Sequence, residues 1–186
     1  MISVEKKYDI IIFKMFSIYK AHNNHLYNKL VGLSRNIFFY KEILLKDNFE
    51  TRINLIFIHF SILLIIFKGK KKEFPQAIFD NIFLNIEYHI RELGYGDVTV
   101  NKKMKTLTRI FYDILLKVNK SKSETFEAND EILKTYFDLT NIDISILIDN
   151  LTTYFNNFYN FCFELEVDNM LKGKINFKIS NTNGCT

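Results

Sequence analysis

The chain has 186 residues, 48% apolar and 25% charged, an ordinary globular mixture long enough to close one substantial core. Its two cysteines, Cys162 and Cys185, exclude a disulfide framework and a zinc site and agree with a reducing compartment. The formal charge of +4 hides an asymmetry: residues 1–120 hold 20 Lys+Arg against 11 Asp+Glu, while residues 121–186 hold 5 against 10, so the basic part fits an anionic partner or the chain's own acidic part.

Residues 1–25 contain the cluster Ile10-Ile11-Ile12-Phe13, followed at once by Lys14 and with no small-residue cleavage site. This pattern reads as an N-terminal amphipathic helix rather than a secretory signal. From 26 onward, Leu26, Leu30, Leu33, Ile37 and Phe38 indicate a helix and then a short second one. His22 and His25 lack further ligands at matching spacing, so no metal site is expected.

Asp47 followed by Glu50 has the spacing of a capping box and opens the most apolar stretch, Ile53 to Phe67. Its length falls short of a ~30 Å hydrocarbon core, and Asn54, His59 and Ser61 interrupt it. Residues 48–67 are therefore expected to form a central buried helix, with Arg52 and His59 buried as structural residues and Arg52 reaching Asp80 or Asp97. Lys68, Lys70, Lys71 and Lys72 follow at that helix's C-terminus, where the macrodipole favours cations.

Two amphipathic patterns come next, over 76–93 and 100–118. Pro75 suits the first turn of the former, Gly94 the left-handed position past its end, and Asp97 or Thr99 the cap of the latter. The corner between them, which also holds Gly96, is short, so an antiparallel hairpin is expected. Lys102, Lys103 and Lys105 occupy the first turns of the second helix, where each exposed cation typically costs ~0.3 to 1 kcal/mol. Either Glu92 and Asp97 compensate them locally, or an anionic partner docks there. Gly94-Tyr95-Gly96 follows a helix and lacks the spacing of a nucleotide loop.

Residues 119–129 read as a loop, followed by a short helix to about Asp138. Ile144, Ile148, Leu151, Phe155, Phe158, Cys162 and Leu165 then alternate steps of four and three before Gly173, the pattern of a long helix closing a bundle. Ile175, Phe177 and Ile179 suggest an extended surface segment, and residues 179–186 a disordered tail. The sum is an all-α fold, a single compact bundle of about six or seven helices with an extended C-terminal tail. No catalytic triad, HExxH or CxxC motif or carboxylate pair stands out, so an enzyme is not expected. An RNA-binding surface would need exposed aromatics, whereas most here lie on apolar stripes.

Several stretches together resemble one family. Leu33-Ser34-Arg35 with Phe38-Phe39-Tyr40, Arg52 with His59, Gln76-Ala77-Ile78-Phe79-Asp80, Arg91-Glu92-Leu93-Gly94-Tyr95-Gly96-Asp97, Lys102-Lys103-Met104-Lys105 and Phe111-Tyr112 fall in the order and spacing of the ubiquinol-cytochrome c chaperone family. The run Ile90 to Val100 is similar to the family's LREMGVGD-x-x-V, and the looser similarity covers 26–178. The chain departs from the family at Ile37 and Lys46, where prolines are common, and at Asp113-Ile114, where Gly-Arg is usual.

The resemblance implies a non-catalytic assembly chaperone for ubiquinol-cytochrome c reductase, without cofactor or metal, binding newly made cytochrome b or another reductase subunit. It places the chain in the cytoplasm or peripherally at the inner face of the energy-transducing membrane, with the ribosome exit region as a further contact and no DNA. The alternative is a ribosome- or RNA-binding regulator of cytochrome b synthesis acting through the basic N-terminal part. Arg91, Glu92, Tyr95, Asp97, Lys102, Lys103 and Lys105 are the candidate partner-binding residues. Arg52, His59, Asp80, Gly94 and Gly96 are the candidate structural ones.

Overall fold

The computed structural model describes residues 25–121, 126–139 and 144–178. The expected N-terminal helix and the tail beyond 178 lie outside them. Eight helical segments follow in order: α1 (His25–Ser34), α2 (Ile37–Lys41), α3 (Phe49–Gly69), α4 (Gln76–Glu92), α5 (Asp97–Lys117), α6 (Asp130–Tyr136), α7 (Ile144–Phe163) and α8 (Val167–Leu171). No strand occurs among the described residues; the nearest approach is an isolated bridge between Asn119 and Ala128. The all-α reading holds, with six segments of seven residues or more and two of five.

Helix α3 is the axis. Its apolar residues run around the whole circumference, so it needs cover on every side, and α1, α5 and α7 supply it. It is long and apolar enough to cross a membrane by composition, yet 67% of its most apolar window is buried inside the protein. The capping expectation is off by one residue. Asn48, not Asp47, is the N-cap, and its side chain accepts from the Thr51 N–H at 2.8 Å. At the far end, Lys70 donates to the Leu165 carbonyl at 2.8 Å and lies over the Phe163 ring, so one lysine of that cluster ties α3 to the end of α7.

Two aromatic groups pack on α3. Phe57 and Phe60 meet Phe111 of α5 at ring-centroid distances of 5.4 and 5.5 Å, and Phe79 and Phe83 of α4 close on the same ring. This is what holds the α4–α5 hairpin on the axis, and such ring pairs contribute beyond their buried area. The other group surrounds His59, whose ring is edge-on to Phe39, Tyr154, Phe155 and Phe158.

His59 is fully buried and hydrogen-bonded, as expected. Nδ1 lies 2.7 Å from the Leu55 carbonyl, which can only accept, so Nδ1 carries the proton; Nε2 then accepts from the Tyr154 hydroxyl at 2.9 Å. Burial pulls the His59 pKa down to about 4, with the Leu55 carbonyl opposing weakly.

The C-terminal pattern is cut differently from the sequence reading. Helix α7 ends at Phe163, so Leu165 falls beyond it, Ile144 is 41% exposed, and Gly173 follows the short α8 rather than the long helix. The extended segment that follows buries Ile175 completely and sets Phe177 against Tyr154 and Phe158.

Two glycines are needed for different reasons. Gly94 has φ +86° with open space where a Cβ would stand, whereas Gly173 has φ +66° and a Cβ there would lie 2.5 Å from the His25 carbonyl oxygen. Gly94→Ala should therefore cost about 1 kcal/mol of backbone strain, and Gly173→Ala clearly more, because α1 must also move away. Chemical unfolding measures both, and equal costs would contradict the close approach.

His59 generates a pH prediction. Its folded pKa lies below the unfolded one near 6.5, so its contribution is fully present above pH 6.5 and is lost as pH falls toward 4, by up to about 3 kcal/mol. In His59→Gln, unfolding midpoints measured across that window should show a shallower acid limb; an unchanged slope would remove the linkage.

Candidate functional site: the hairpin corner and its cleft

The corner between α4 and α5 comprises residues 93–96. Helix α5 begins at Asp97 with Gly96 as N-cap, one turn earlier than the periodicity indicated, and the cap makes no side-chain hydrogen bond. Gly96 has φ −71° and room for a Cβ, so neither backbone nor packing demands glycine there. Arg91 clamps the corner. Its Nη2 donates to Glu87 Oε1 at 2.8 Å within α4, and its Nη1 donates to Asp97 at the start of α5.

That clamp decides how the lysines are compensated. Asp97 is engaged by Arg91, and no lysine of the triplet is ion-paired among the described residues. Neither Glu92 nor Asp97 makes a direct ion pair with these lysines. Lys103 instead sits over the Tyr95 ring, Nζ 4.5 Å from its centroid, a contact that fixes the ammonium without neutralising it.

The helix splits the triplet between two faces. Lys102 and Lys103 line a cleft of about 630 Å³ between α3, α5 and α6, while Lys105 lies outside it on the exposed side. Phe49, Ile90, Leu107 and Ile110 make the cleft's apolar wall, and Thr99 and Thr106 stand beside the lysines. Its end is held by Tyr136: Asn54 Nδ2 donates to the Tyr136 carbonyl at 3.0 Å, and the Tyr136 hydroxyl donates to Asp113 Oδ2 at 2.7 Å. Burial first, and then this bond to Asp113, push the Tyr136 pKa up to about 12. Asp113, a departure from the family pattern, is thus the acceptor that joins α6 to α5.

A second cleft, of about 400 Å³, lies on the opposite side of the α4 end, where Arg35, Asp47, Arg52, His89 and Glu92 meet. Arg52 is placed here. It is neither buried nor paired with Asp80 or Asp97; its side chain is 39% exposed and grips Asp47 through Nε and Nη2 at 2.6 and 2.8 Å. Arg52 and His59 share nearly one face of α3, but Arg52 lies in the first turn, where its side chain reaches Asp47, whereas His59 lies mid-helix inside the core. Asp80 is exposed and accepts from Gln76 Nε2 instead. The Tyr27 hydroxyl and His89 Nδ1 are hydrogen-bonded at 2.8 Å, and burial raises the Tyr27 pKa.

Of the predicted residues, Arg91, Tyr95, Asp97, Lys102 and Lys103 converge on one corner, Glu92 faces the second cleft, and Lys105 faces away from both. Sequence reasoning missed the apolar wall and Tyr136. Leu107 was visible only as one residue of a core stripe, and nothing local marks Tyr136 as the neighbour of Asn54, 82 positions away. Among the described residues no group of three or more His, Cys, Asp or Glu side chains gathers to hold a metal ion.

Comparison with known proteins gives the fold and the family. No curated protein sequence matches the chain. The crystal structure of the Cbp3 homolog from Brucella abortus is 22% identical and superimposes with a TM-score of 0.62 over 91% of this chain and 96% of that one, a likeness of fold. The sequence model of the family described as ubiquinol-cytochrome C chaperone matches residues 41–142. That interval holds α3, the clamped corner and the cleft with Tyr136, and since it is more than half of the chain, the protein belongs to the ubiquinol-cytochrome c chaperone family.

Proposed function

We propose that this chaperone of ubiquinol-cytochrome c reductase assembly binds newly made cytochrome b in the cleft between α3, α5 and α6 and aids its maturation without catalysing a reaction. One observation carries the reading: an apolar wall of Phe49, Ile90, Leu107 and Ile110 is bordered by Lys102 and Lys103, neither of them ion-paired. A membrane-protein segment offers both complements, apolar side chains and flanking polar or acidic ends. Apolar contact supplies non-directional affinity that tolerates different client residues, and the ammonium groups fix which end of the segment enters. The corner clamp of Arg91, Glu87 and Asp97 keeps the wall in place and belongs to the site as a positioning element.

Replacing Lys102, Lys103 and Lys105 by Gln removes three cations from a dipole-unfavourable helix start, so thermal stability should be unchanged or slightly raised. In cells, assembled reductase should fall and cytochrome b should be lost. Normal reductase in cells carrying a folded triple variant would overturn the assignment of the corner. Salt separates this reading from a ribosome- or RNA-binding regulator: client binding should persist as ionic strength rises, whereas phosphate-dominated binding weakens steeply.

A further inference from the structure

Helix α5 has a face that stays exposed among the described residues. Val98, Lys105, Arg109, Tyr112 and Leu116 follow one another at steps of seven, four, three and four, and all five are exposed. Val98 is 85% and Leu116 80% exposed, the highest values among the exposed large hydrophobic residues, and Tyr112 is 48% exposed. The stripe spans about 27 Å at the helical rise of 1.5 Å per residue. At its N-terminal end the corner adds Leu93 and Tyr95, 58% and 42% exposed.

The charges on this face have one sign. Lys105 and Arg109 make no ion pair among the described residues. The two acids of α5 are engaged elsewhere, Asp97 by Arg91 and Asp113 by Lys117 and the Tyr136 hydroxyl. Exposed aliphatics scattered singly need no explanation. Here they share one line with cations and an aromatic, a mixture that can meet both acyl chains and lipid phosphates.

We propose that α5 docks by this outward face on an anionic bilayer surface. Val98, Tyr112 and Leu116 enter the boundary between headgroups and acyl chains, and Lys105 and Arg109 extend their stems to the lipid phosphates. None of these five residues lines either cleft, so the face offers a partner helix neither of those grooves. A nucleic acid would use the cations but leave Val98 and Leu116 without a role. The inference rests on the outward face alone and does not depend on which client the cleft holds.

The test uses the full chain and phosphatidylcholine vesicles with or without phosphatidylglycerol. Co-sedimentation should occur with the anionic vesicles and be weak with the neutral ones. The exposed pair Val98→Ser and Leu116→Ser should weaken it ~10-fold or more at an unchanged thermal midpoint, and Lys105→Gln with Arg109→Gln should remove most of its salt-sensitive part. Equal binding to both vesicle types would overturn the proposal. So would full binding by the Val98→Ser, Leu116→Ser protein, which would place membrane affinity elsewhere in the chain. Capture of polyuridylate that depends on Arg109 but not on Leu116, without vesicle binding, would assign the face to nucleic acid instead.

Discussion

The apolarity of α3 on every side is the constraint from which the rest of the architecture follows. A helix with one polar stripe can rest on a single neighbour; α3 cannot, so α1, α5 and α7 must enclose it. His59 is the price of recognition within that sheath, a buried polar ring whose two nitrogens are both satisfied, one by its own helix and one by Tyr154 of α7. An apolar side chain there would pack, but it would not select the register of α7. Phe111 performs the corresponding task on the other flank, gathering Phe57, Phe60, Phe79 and Phe83 around one ring.

Enclosing α3 also fixes what α5 can present. Val100, Phe111 and Ile114 are committed to the core. Two flanks remain, one facing the cleft with Lys102, Lys103 and Leu107, the other facing solvent with Lys105, Arg109 and Leu116. The Phe111 cluster seats α5 on the axis, and the Arg91 ion pairs join its start to the end of α4. The proposed roles in client holding and membrane docking thus fall to adjacent faces of one helix.

What was legible in the sequence was what periodicity and local backbone chemistry determine. The central helix, the hairpin and the left-handed Gly94 were all readable, because apolar spacing and a glycine after the last turn report directly on helix limits and φ. Pairings across the fold were not. Asp47 looked like a cap and proved to be the partner of Arg52, with Asn48 taking the cap, since either residue has the right chemistry and only the backbone decides. The lysine triplet read as one cluster, yet helical geometry turns Lys105 away from Lys103. The cleft itself depends on α6 reaching α3 through Asn54 and Tyr136, a contact with no local trace.

The central claim is that the two flanks of α5 meet different partners. A photoreactive residue placed in turn at Thr106, beside the cleft lysines, and at Arg109, on the outward face, tests it most directly in cells making the reductase. The account predicts that Thr106 yields an adduct with cytochrome b and that Arg109 yields adducts with phospholipid. Cytochrome b captured from Arg109 but not from Thr106 would contradict it.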